Sequence, residues 1–167
     1  DLPLPYHEEH IHLTGSLSAD FIYPRLKKLL EGKDKNLYET KIKEVYGDDA
    51  FPINSKEDVN KLIRLKEGEQ FKTYLKILYL TKLVLTSKED HVDAAYHMAS
   101  ELYHNYNVGK IRLKFTLSRS TGMSDEQIPG LESLTEDDVV LGLYEGFKKF
   151  QKEKPFFSFI LSPSFRK

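Results

Sequence analysis

The chain has 167 residues, with 25 basic and 26 acidic side chains and a net charge of −1. This balance gives no general attraction to nucleic acid or to anionic membrane, so neither is an expected partner. Hydrophobic residues make up 40% of the chain, including ten Tyr and ten Phe, which excludes a wholly disordered polypeptide. Cysteine is absent, which excludes disulfides and thiolate-ligated zinc. No apolar run approaches the ~20 residues of a membrane span, and a cytoplasmic setting is expected.

In chain order, a proline-punctuated lead-in precedes "HEEHIHL", a short strand that stops at the Thr14-Gly15-Ser16 turn signal. Ser18 is placed to cap a helix that runs to about Leu30 and stops at Gly32. A charged helix follows from Asp34 to Tyr46, stopped by Gly47. Ser55 and Asp58 form a capping-box-like pair for a third helix. A longer one is expected from about Glu69 to Leu85, with Phe71, Tyr74, Leu75 and Leu78 on its apolar stripe.

Ser87 and Asp90 repeat the cap signature. The next helix carries Val92, Ala95, Tyr96, Ala99, Leu102, Tyr103 and Tyr106 at helical spacing. The period then changes to two in "VGKIRLKFTLSRS". Ile111, Leu113, Phe115 and Leu117 fall on one face; Lys110, Arg112 and Lys114 form a basic strip on the other. After a loop, Thr135 caps a helix carrying Val139, Val140, Leu143, Phe147 and Phe150, which Pro155 ends. "FFSFILSPSF" is a final strand.

Strands alternating with helices predict an α/β fold with about three parallel strands and a helical insertion after the first strand. A closed barrel of eight such units takes ~250 residues. The 167 residues, enough for one domain, are too few for such a barrel, and an open three-stranded sheet would leave edges and one face bare.

His10 and His12 are the strongest chemical signal. Residues two apart on a strand point the same way, so they present two imidazoles to one side, as two ligands of one metal require. Unflanked, the pattern also suits two half-exposed strand histidines. His91, His97 and His104 lie on the amphipathic helix. His97 and His104 share a face but stand ~10 Å apart along the axis, too far to chelate one metal; all three are expected to be surface or boundary residues. Phosphate-binding and nucleophile-elbow motifs are absent.

The stretch Glu8-Glu9-His10-Ile11-His12-Leu13-Thr14-Gly15-Ser16-Leu17 resembles the opening metal motif of the adenosine deaminase family of amidohydrolases, E-L-H-x-H-L-x-G-[SA]. The helical insertion, the second strand and the final "FFSFILSPSFRK" follow that family's order, so the resemblance spans essentially the whole chain. It implies the N-terminal part of a (β/α)₈ TIM barrel and a zinc-dependent hydrolase that deaminates adenosine or a related aminopurine. His10 and His12 would be zinc ligands, and Thr14, Gly15, Phe71 and Leu75 would lie at the substrate. For the hydrophobic ones, plain core packing is the rival assignment.

Two positions depart from the family. Thr14 stands where deaminases of free adenosine usually carry the Asp that meets the sugar, which leaves room for a nucleotide or a modified purine. Arg112 and Lys114 stand where the second strand often reads E-x-R. The family's further His, Glu and Asp residues come from later strands and have no counterpart here. The implied partner is thus the missing C-terminal half of the barrel, in the same or a separate polypeptide, and this chain alone is expected to be inactive. The rival expectations are a non-catalytic half-barrel for binding or assembly and an amidohydrolase acting on a non-purine.

Overall fold

A computed structural model describes residues 7–12, 17–63, 80–116, 128–129 and 133–164, with side chains for all of these except 7–10, 12, 116 and 164. The fold is mixed α/β and mostly helical, and its strands form a parallel sheet. The chain divides into two compact units: residues 17–84, and residues 1–16 together with 85–167.

The second of these holds the sheet. Strand β1 (His7–His12), β2 (Val108–Thr116) and β3 (Ser158–Ser164) lie side by side in chain order, all parallel. The predicted period of two in β2 is observed. Ile111, Leu113 and Phe115 are buried, Lys110 and Arg112 are half-buried, and Lys114 is exposed. The apolar row continues across the register into Phe159 and Leu161 of β3.

Two helices serve this sheet. In chain order they follow α1 to α3, described below: α4 (Lys88–Tyr106) precedes β2, and α5 (Glu136–Glu153) precedes β3. Both begin with a complete capping box. Ser87 Oγ accepts from the Asp90 N–H at 3.1 Å while the Asp90 carboxylate accepts from the Ser87 N–H at 3.1 Å. Thr135 and Asp138 repeat this at 3.1 and 3.0 Å. The hydrogen bonds from Thr135 hold the Asp138 carboxyl below its ordinary range. Helix α4 ends on Asn107 in the left-handed region, φ 57°, and strand β2 begins at the next residue.

The helix pair packs unusually closely. A Cβ on Gly142 would come within 2.6 Å of the Lys88 carbonyl oxygen and 2.9 Å of His91 Cβ. A Cβ on Gly146 would run into the Val92 carbonyl oxygen and lie 2.7 Å from Ala95 Cβ. Two glycines one turn apart on α5 thus form a groove into which the α4 backbone settles. This corrects the expected stripe on α4. The buried residues are His91, Ala94, Ala95, Met98 and Ala99, whereas Tyr106 is 65% exposed. Close backbone approach selects small residues for the centre and leaves the tyrosines at the flanks.

Aromatic packing joins α5 to β3. Phe147 stacks on Phe159 with ring centroids 5.1 Å apart, and Phe150 meets Phe157 edge-on at 5.1 Å. Phe147, Phe150 and Phe157 are fully buried, each contributing about 1.5–3 kcal/mol from removal of apolar surface. Gln151 Nε2 donates to the Phe157 carbonyl at 2.9 Å, fixing the turn between helix and strand. Because Phe159 is in register with Ile111, α5 covers the apolar row of the sheet.

The other unit is helical. It contains α1 (Ala19–Glu31), α2 (Lys35–Tyr46), a short 3₁₀ turn (Asp48–Ala50), α3 (Lys56–Ile63) and a helical stretch at 80–84. The boundaries expected at Ser18, Gly32 and Gly47 are observed; Gly47 has φ 95°, which favours glycine. Phe21, Ile22, Leu26, Tyr38, Ile42 and Val59 are buried. The Ser55–Asp58 pair is only half a box. Asp58 N–H donates to Ser55 Oγ at 3.3 Å, but the Asp58 carboxylate accepts from Asn54 N–H, at 2.9 Å. The bond from Asn54 is the main reason that this carboxyl titrates below its ordinary value. Of the helix expected over 69–85, only residues 80–84 fall among those described as helical, and Leu85 lies beyond them.

Candidate functional site

The H-x-H pair sits where β1 ends. His12 is the strand's last residue, and the register sets His10 beside Arg112 and His12 beside Lys114. Lys114 lies two residues before the end of β2 and pairs in turn with Ser162 of β3. The histidine pair and the basic strip, read separately in the sequence, are therefore neighbours on adjacent strands.

The basic strip has a definite side. Its alternation with buried Ile111, Leu113 and Phe115 puts Lys110, Arg112 and Lys114 on the sheet face opposite the one that α5 covers. The β3 positions in register with them are Ser158, Ile160 and Ser162, none of them acidic. Arg112 interacts within the fold; Lys114 is exposed.

Zinc is the group that the resemblance implies. Two imidazoles two residues apart on a strand suit two positions of a tetrahedral zinc, and a catalytic zinc normally takes three protein ligands. The β1 backbone is extended over His10 and His12, as that spacing requires. Among the described residues, no three His, Asp or Glu side chains gather in a way that could hold a metal. The residues present thus fit part of a zinc site, with further donors required. Thr14, Gly15, Phe71 and Leu75 lie outside the described residues, as do Tyr74 and Leu78.

Each helical histidine has a contact within the fold. His97 Nε2 meets Glu101 at 3.0 Å one turn away, and His104 is exposed, edge-on to Tyr103 and Phe150. His91 corrects the expectation of a surface or boundary residue, because it is only 3% exposed. Its Nδ1 lies 2.7 Å from the Ser87 carbonyl, and its Cβ faces Gly142. Burial pushes its pKa below the ordinary 6.5, against the opposing pull of the Ser87 carbonyl, Asp90 and Asp138. The available signal was Gly142-x-x-x-Gly146, which demands a close-packed neighbour and so buries whatever faces it.

No helix among the described residues is long and apolar enough to cross a membrane. No family model matches this chain, and no curated protein matches it significantly.

Proposed function

We propose that this chain is the N-terminal part of a zinc-dependent amidohydrolase barrel that deaminates an aminopurine nucleoside or nucleotide. The observation that carries the reading is the H-x-H pair at the carboxyl end of the first strand of a parallel sheet. In (β/α)₈ enzymes the chemistry gathers at that end of the strands. The strand order supports the same reading. Parallel strands in chain order β1-β2-β3, with α5 on the apolar face and α4 packed along α5, wind in one direction, as a barrel does. A doubly wound sheet instead reverses and carries helices on both faces.

His10 and His12 would supply two neutral imidazole donors to zinc. A zinc held there would supply Lewis-acid activation of water at neutral pH. The apolar packing of α5 against β3 holds the sheet rigid behind those donors. Proton transfer needs acid and base groups from outside these 167 residues, so this chain alone is inactive.

The test is metal analysis of the full-length protein after dialysis, with an ammonia-release assay on a purine panel. About one zinc per protein is expected, falling by at least tenfold in occupancy in His10→Ala and His12→Ala at limiting zinc. Zinc content unchanged in both variants, or deamination by the 167-residue chain alone, refutes the reading.

A further inference from the structure

We infer that the basic row of β2, through Lys114 with Arg112 beside it, is a binding site for the phosphate group of the ligand. The inference relies on the functional reading for the ligand's whereabouts, and on the strand itself for the ligand's charge.

Three cationic side chains follow one another at alternate positions of β2, on the face away from α5. Adjacent members are ~6.6 Å apart along a parallel strand, a separation that one phosphate can bridge between two long side chains. Across the register, β3 offers Ser158, Ile160 and Ser162, two hydroxyls and no carboxylate. Glu8 is opposite Lys110, at the other end of the row from Lys114. Positive charge therefore accumulates toward the carboxyl end, where Arg112 and Lys114 adjoin His10 and His12.

An exposed lysine at that end favours an anion near it. Arg112 interacts within the fold and stands next to Lys114 along the basic row. Lys114 is exposed and contributes a mobile point charge. Ser162 adds a hydroxyl in register with Lys114. A dianionic phosphate monoester would accept from Lys114 and Ser162 and offset the local charge.

The test uses the full-length protein stripped of metal, so that phosphate cannot be held by zinc. A purine nucleoside, its 5′-monophosphate and inorganic phosphate are titrated calorimetrically at low salt. The monophosphate is expected to bind about tenfold more tightly than the nucleoside. Lys114→Gln should remove most of that difference and Lys114→Arg should retain it. Lys149→Gln, which removes an α5 cation seated over the Tyr96 ring, should leave it intact. Equal affinity for nucleoside and monophosphate, binding of neither, or equal losses in the Lys114 and Lys149 variants overturns the inference. Zinc occupancy is measured separately. Phosphate discrimination without zinc binding would leave the anion site standing and remove the metal reading; zinc binding without discrimination would do the reverse.

Discussion

The sheet-bearing unit and the helical unit of residues 17–84 are built to different tolerances. In the first, both long helices start with reciprocal capping boxes, and α4 and α5 touch backbone to backbone at Gly142 and Gly146. In the second, neither Ser18 nor Asp34 makes a side-chain cap hydrogen bond, and α1 carries Pro24 in its interior. The helical unit rests on burial of an apolar stripe, which tolerates local imperfection. The sheet-bearing unit carries the H-x-H pair, and there the chain has little freedom to shift.

The largest expected contrast lies between glycines. Gly146→Ala forces a methyl group into the Val92 carbonyl, and should destabilise by about 2 kcal/mol, since overpacking outweighs the better helix propensity of alanine. At Gly32, at the end of α1, a Cβ would meet the Lys28 and Leu29 carbonyls at 3.2 and 3.7 Å, and the backbone is extended. Gly32→Ala should change stability by less than about 0.5 kcal/mol. Thermal unfolding of the two variants checks the pair; equal losses would mean that the helix crossing is looser than described.

Caps give a smaller contrast. Thr135→Ala removes one half of a complete box and should cost about 1 kcal/mol. Ser18→Ala removes a side chain that makes no cap hydrogen bond and should cost less than that. Urea titration of each variant reads the difference directly, and a Ser18 effect as large as that of Thr135 would erase the distinction.

The last contrast concerns pH. His91 has its folded pKa depressed by burial, so the unfolded chain binds the proton more readily. Its neutral form favours folding fully above the unfolded value near 6.5, and this contribution is lost as pH falls toward and through the folded pKa. His91→Gln should therefore flatten stability between about pH 6.5 and the acid limb. Stability measured by denaturant at several pH values decides it; a wild-type profile flat below 6.5 would show that His91 accepts its proton without penalty.

Much of this architecture was legible beforehand because its signals are local. Ser87 with Asp90, Thr135 ahead of its helix, Gly32, Gly47 and the alternation from Lys110 to Phe115 each act over a few residues. Pattern alone therefore fixes their outcome. At Ser55 the cap bond from Asp58 forms as the pattern predicts, but the Asp58 carboxylate bonds the Asn54 N–H and the box is half-formed. The chemistry was less legible. His10 and His12 stood out by spacing, and Lys110, Arg112 and Lys114 by alternation, yet nothing in the sequence joined the two sets.

Residue order thus determined the elements, their ends and the apolar face of β2, because hydrogen bonding and hydrophobic periodicity are short-range. Tertiary structure decided the rest. Parallel pairing across 102 residues set His10 against Arg112 and His12 against Lys114. The Gly142 and Gly146 groove turned small residues of α4 inward and its tyrosines aside, and it buried His91. Those outcomes depend on which backbones meet and how closely. That is a property of packing between distant segments; a local pattern such as Gly142-x-x-x-Gly146 marks one side of the contact and not its partner.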